Sequence, residues 1–299
     1  MKSILLGSET QAAFNHLPQY VGICKIKVVA MLVITAWVGL MLAPDMNRSA
    51  LSQVMSLLGI GLLSSSAAAI NHIVDREIDK KMARTRHRPL AQTQLTVFQA
   101  VRFAILLGMV GSLLLFYWSN TLTLVLTLGA LVGYAIVYTM YLKRATPQNI
   151  VIGGLAGAMP PLLGWISETG QLDVQAWLLV MIIFIWTPPH FWALAVARRK
   201  DYQRANVPML PVTHGSEFTR LSIVFYSILL YLVCLLPYLI TMSGNIYLTS
   251  VLVLNTIFLY KAVYLYVNRS DKAAMALFHF SITYLLLLFI ALFLDRWIL

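Results

Sequence analysis

Charged side chains are scarce: they make up 11% of this 299-residue chain, and only 11 residues are Asp or Glu. A soluble domain carries about 25% charged residues. An ordinary soluble enzyme, a disordered chain and a fibrous protein are therefore excluded. Cysteine is scarcer still. Cys24 and Cys234 stand alone, and the absence of any CxxC pair argues against a disulfide framework or a structural zinc site. Residues 1–24 have neither a continuous apolar core with a small-residue cleavage site nor the Arg-rich, acid-free composition of a mitochondrial presequence. The sequence predicts them to be a short cytoplasmic leader to a single domain, 1–299, set in a bacterial inner membrane.

What the chain has instead is hydrocarbon. Sixty per cent of its residues are hydrophobic, and mean hydropathy is +0.78. Apolar windows long enough to cross a ~30 Å bilayer core recur near 27–43, 50–71, 98–118, 121–141, 150–166, 176–196, 221–242, 246–266 and 274–294. The expectation is an all-α polytopic membrane protein with nine transmembrane helices. The fifth is the least regular, since it contains Gly153, Gly154, Gly157, Pro160, Pro161 and Gly164; the Gly153/Gly157 spacing permits close helix packing.

The net charge of +11 reads as topology, not as affinity for nucleic acid. With nine spans, 20 of the 22 Lys and Arg residues fall to one side and only Arg48 and Arg296 to the other. The N-terminus and the connections 72–97 and 197–220 are therefore expected in the cytoplasm, and the C-terminus in the periplasm. Both long connections contain Asp, several bases and then a Pro-containing segment, a pattern that hints at an internal duplication facing a shared cavity.

The sharpest constellation is Asn71-His-Ile-Val-Asp75-Arg-Glu-Ile-Asp79. No proline interrupts it, so the second helix is expected to run through it and to place Asn71, Asp75 and Asp79 on one face over about 12 Å. Two carboxylates one turn apart and an amide oxygen form an all-oxygen ligand set of the kind that magnesium shares with substrate phosphates. Arg76, Lys80, Lys81, Arg84, Arg86 and Arg88 follow at once, and bases beside such acids can hold phosphate oxygens. The competing reading is a solvated, positive-inside helix end. Lys143 and Arg144 can reach a diphosphate from the same side or snorkel to set orientation. In Trp186-Thr-Pro-Pro-His190-Phe-Trp, Pro188 and Pro189 are expected to break the sixth helix and free carbonyls. His190 is then either a functional intramembrane group or a hydrogen-bond filler of that break. Arg198, Arg199 and Lys200 are anion binders or topology markers, and Asp201, the one acid beside them, makes a poor metal site alone. His72 and His87 flank the ladder as solvated loop residues or as haem or metal ligands.

These segments resemble the UbiA superfamily of intramembrane prenyltransferases, and within it the haem-modifying branch. The resemblance is carried by Asn71 through Asp79, Arg84-Thr-Arg-His-Arg-Pro-Leu90, Lys143-Arg144-x-Thr146-x-x-Asn149, Ala156-Gly-Ala-Met-Pro-Pro-Leu-Leu-Gly-Trp165, Trp186 through Ala195, and Asp201-Tyr202 through Pro208-Met-Leu-Pro211. It covers roughly residues 20–295. It implies a nine-helix bundle around a central cavity, with catalytic Asn71, Asp75, Asp79 and Lys143 and magnesium on Asn71, Asp75 and Asp79. It implies substrate binding by Arg76, Lys80, Arg84, Arg86, Arg88, Arg144, His190, Arg198, Arg199, Lys200, Asp201 and Tyr202. The reaction implied is farnesyl transfer from farnesyl diphosphate to a vinyl group of haem b, with water addition, giving haem O. The lipid bilayer, and downstream a haem A synthase or terminal oxidase, are the further partners. Where most of the superfamily has a second Asp-rich motif, this chain has His190, Arg198, Arg199, Lys200 and Asp201, as the haem branch does. A UbiA-type enzyme for a quinone or chlorophyll precursor, and a secondary transporter with broken helices, are the alternatives. We expect the 197–220 connection to anchor the haem propionates, with His190 near the porphyrin.

Overall fold

A computed structural model describes residues 17–44 and 48–298. Among the described residues every regular element is a helix: α1 (Leu17–Ile23), α2 (Ile26–Leu42), α3 (Ala50–Lys81), α4 (Val97–Trp118), α5 (Thr121–Ala145), α6 (Asn149–Ala158), α7 (Pro160–Thr169), α8 (Val174–Ala197), short α9 (Arg199–Arg204) and α10 (Leu210–Thr213), α11 (Gly215–Leu239), α12 (Asn245–Asn268) and α13 (Asp271–Ile298). Eight spans are long and apolar enough to cross a bilayer, with α6 and α7 together forming one; α1 and α2, bent by 55° at their junction, supply the ninth. Most of the expected 1–24 leader, residues 1–16, lies outside the described residues.

Local chemistry sets the helix starts. Ser49 accepts from Ser52 N (3.2 Å) at the head of α3, Thr96 and Gln99 form a reciprocal capping box on α4, and Asn120 accepts from Thr123 N (2.9 Å) on α5. At the opposite membrane face Arg48 bonds Trp118 O and Ser119 O (3.1 and 3.0 Å), capping the carbonyl end of α4. In the same layer the buried Asp295 of α13 accepts from Gly244 N and from Tyr247 N, capping α12 in trans because Gly244 has no side chain to do so.

Packing is tightest where α2 crosses α7. A Cβ on Gly39 would strike the Pro161 carbonyl, and one on Gly164 the Ala36 carbonyl. Gly153 fits against the Tyr138 ring and Gly154 against Thr187, whereas Gly157 faces open space. The close approach expected of Gly153 and Gly157 thus belongs to Gly39, Gly164, Gly153 and Gly154.

The proline pair corrects a second expectation. α8 runs unbroken from Val174 to Ala197 through Pro188 and Pro189. The prolines still remove two amide donors, but both are buried in the bundle. The Thr187 hydroxyl bonds Ile183 O (2.7 Å) and the Trp186 indole bonds Ser281 O on α13 (3.0 Å), so side chains tie this stretch to itself and to its neighbour.

Candidate functional site: an acid ladder faced by three bases

α3 continues to Lys81, so Asn71, Asp75 and Asp79 share a face and all three are buried. Each is met by a base from a different element. Lys25, at the α1–α2 junction, donates to Asn71 Oδ1 (2.5 Å). Lys143, at the end of α5, donates to Asp75 Oδ2 (2.6 Å). Arg88, from the connection after α3, donates to both Asp79 oxygens (3.0 and 2.9 Å). The second oxygen of Asp75, Oδ1, is buried with no partner.

The amide of Asn71 has a determined orientation. Its Nδ2 donates to Asp75 Oδ2 (2.9 Å) and to Thr139 Oγ1 (3.1 Å), and the Thr139 proton is spent on Tyr134 O (2.7 Å). Oδ1 must then face Lys25. Tyr134, Thr139 and Lys143 act together because Gly133–Leu142 is wound as a π-helix. On an α-helix Tyr134 and Lys143 would stand about 180° apart; the wider i→i+5 winding returns them to one side. Tyr134 and Tyr138 stack there at 5.5 Å, and the Lys25 ammonium lies 5.9 Å from the Tyr134 ring centre.

The remaining sequence candidates divide. Tyr202 and Asp201 of α9 are buried, and burial pushes the Tyr202 phenol up while the Arg84 guanidinium bonded to it partly offsets the rise. That contact joins the connections 72–97 and 197–220. Arg76 and Lys80 turn outward and pair with exposed Glu77 (3.7 and 3.0 Å). Arg86, Arg198, Arg199 and Lys200 are exposed, and Arg144 is exposed near Val74 O (3.4 Å). His87 is solvated as expected, but His72 is not: it is buried beside the ladder with neither ring nitrogen partnered, because α3 carries it inside the bundle.

His190 lies apart from the ladder. It is buried between the rings of Trp186 (4.3 Å) and Phe278 (4.7 Å), and its Nδ1 meets Ser281 Oγ at 2.6 Å. Ser281 gives its own proton to Phe278 O (2.6 Å). Its Oγ therefore accepts from His190, which fixes the proton on Nδ1 and leaves a lone pair on Nε2. Sequence reasoning missed Lys25, Tyr134 and Thr139 as site residues. Lys25 was visible only as one more cytoplasmic base.

The donor set fits a divalent cation. It is all oxygen, it holds an unpartnered buried carboxylate oxygen, and its two acids leave coordination positions for phosphate oxygens and water. Among the described residues no third acid, His or Cys completes a protein-only metal cage.

A polytopic helical bundle with this ladder at the end of a span, ringed by bases, is the setting in which the family match makes the chain an intramembrane prenyltransferase. The UbiA prenyltransferase family model matches residues 32–293, and the chain belongs to that family. It is 63% identical over 287 residues to protoheme IX farnesyltransferase 2 of Pseudoalteromonas translucida, covering 96% of this chain and 93% of that one. It is 60% identical to protoheme IX farnesyltransferase of Psychromonas ingrahamii, over 97% and 94% of the two chains. Among solved structures the fold is shared with digeranylgeranylglyceryl phosphate synthase (TM-score 0.79, 18% identity, 95% and 100% covered). It is also shared with an Archaeoglobus fulgidus UbiA homologue bound to GPP and Mg2+ (TM-score 0.64, 16% identity, 92% and 99% covered).

Proposed function

We propose that this chain transfers the farnesyl group of farnesyl diphosphate to a vinyl group of haem b, with addition of water, giving haem O. The observation that carries the acceptor is the 63% identity, over nearly the whole length, to a protoheme IX farnesyltransferase. The buried ladder carries the donor, since it gathers two acids and three bases where a metal–diphosphate needs both.

Asn71, Asp75 and Asp79 are the residues that would hold magnesium, which when bound withdraws charge from the leaving diphosphate so that the allylic C–O bond ionises. Lys143 and Arg88 exchange their carboxylates for phosphate oxygens, and so stabilise the charge that appears on the leaving group. Arg84 closes over them from the cytoplasmic side, linked to Tyr202. The faces of Tyr134 and Tyr138 present π-electron density to the allylic cation, and the surrounding apolar walls keep water from it. The haem vinyl carbon then attacks, and water completes the product.

On the acceptor side, the bare Nε2 of His190 suits a porphyrin metal or a water, because Ser281 accepts the proton of the other ring nitrogen and so fixes the tautomer and the ring orientation. Exposed Arg198, Arg199 and Lys200 lie at the cytoplasmic boundary where haem propionates would emerge. This reading puts the protein in a bacterial inner membrane with its N-terminus cytoplasmic and its C-terminus periplasmic, an orientation supported by the distribution of bases. The decisive assay supplies membranes containing the protein with farnesyl diphosphate, haem b and magnesium, then extracts pigment. Haem O is the expected product; unchanged haem b, with farnesyl transferred to an added aromatic acceptor, would reassign the substrate.

A further inference from the structure

Five described residues other than glycine have positive φ: Lys25, Thr93, Asn206, Thr241 and Arg269. The last four are exposed in surface connections; Lys25 alone is partly buried and reaches the acid ladder. A residue with a Cβ adopts the left-handed region only at a cost, and such residues persist where their surroundings hold them. At φ 52° and ψ 50° Lys25 makes the 55° kink between α1 and α2, which carries its ammonium to Asn71 Oδ1 and within 3.4 Å of the Tyr134 hydroxyl.

That contact conflicts with the loaded site. The Asn71 amide is held with Oδ1 toward Lys25, so the oxygen that would face a metal is the one covered by an ammonium. Two cations do not share one amide oxygen at such range. Three bases, Lys25, Lys143 and Arg88, also face only two carboxylates, Asp75 and Asp79, which leaves one cation in excess for an incoming anion.

We propose that Lys25 is a diphosphate-binding residue, and that its left-handed kink serves to deliver the ammonium. When the metal takes Asn71 Oδ1, Lys25 passes to a diphosphate oxygen. The proposal rests on the prenyl-diphosphate reading above.

The test uses the full chain in lipid nanodiscs with two probes: manganese(II) alone, read by its spin resonance, and inorganic diphosphate with magnesium. Glycine accepts the left-handed backbone without strain, so Lys25→Gly removes the ammonium and keeps the kink. Its affinity for magnesium diphosphate should fall about 10- to 100-fold, the worth of one charge-assisted hydrogen bond. Its affinity for manganese(II) alone should hold or rise, because the amide oxygen is freed, and the unfolding temperature should not fall. Lys25→Arg should recover most of the diphosphate affinity. Should Lys25→Gly fail to fold, Lys25→Met, which keeps most of the stem, gives the same two readouts. Wild-type diphosphate affinity in the variant overturns the proposal, and so does parallel weakening of both probes, which marks a structural role. A wild-type protein that binds neither probe overturns the prenyl-diphosphate reading itself.

Discussion

The C-terminal ends of α3 and α8 look alike in sequence and differ in space. Each leaves the membrane into acids, bases and a proline segment. At α3 both Asp75 and Asp79 fold inward with their partners: Asp75 is 2% exposed and Lys143, which pairs with it, 13%. At α8 the three consecutive bases stay in solvent, and Asp201 is the one charged residue of 198–204 that turns inside. A buried charge is expensive unless paired, so a ladder of buried pairs signals selection for something other than stability. An exposed base at a membrane boundary already serves orientation and requires a substrate effect to prove more.

Four variants sharpen that contrast, from the largest effect to the smallest. Asp75→Asn keeps shape and removes the charge at the centre of the ladder; turnover in the pigment assay should fall about 10²- to 10³-fold while the protein still inserts. Near wild-type turnover with an unchanged magnesium dependence would reduce the ladder to a solvated helix end. Lys143→Met should lower kcat/KM for farnesyl diphosphate by about 10- to 100-fold, the worth of a charge-assisted contact, and leave the KM for haem alone; a matched rise in the haem KM would move Lys143 off the diphosphate. Ser281→Ala strips the acceptor from a buried His190 N–H, which costs about 1–3 kcal/mol. It should lower the unfolding temperature in detergent, and no shift would mean that His190 finds another acceptor. Replacing Arg198 and Arg199 together by Gln should raise the KM for haem several-fold and spare that for farnesyl diphosphate. Equal weakening of both would place the second connection on the diphosphate.

Much of the donor half was legible because its signal is periodic. The i, i+4, i+8 spacing of Asn71, Asp75 and Asp79 survives any error in helix ends, and the span count follows from apolar length alone. The missed residues lack such a pattern. Lys25 is one base in a biased count, and no residue before it announces a left-handed backbone. The π-winding of Gly133–Leu142 has no composition of its own, so Tyr134 and Thr139 could not be aligned with Lys143 in advance. The unbroken course of α8 depends on bonds from Thr187 and Trp186 to a carbonyl one turn back and to another on α13, which no local rule supplies. His72 is expected to be solvated or a haem or metal ligand because its neighbours are polar, whereas its face of the helix turns into the bundle, which the sequence around it does not announce.

A π-turn is a helix that holds a residue more than its length requires, and that gives α5 a genetic signature. Deleting the single codon for Ile136, which is half-exposed to lipid and touches little of the interior, would let the segment rewind as an ordinary α-helix. Eight α-steps would then separate Tyr134 from Lys143 and set them about 80° apart rather than on one side, with no amino acid of the site changed. The same side chains with one residue fewer between them would make a different arrangement, so the length of this segment is itself part of the site.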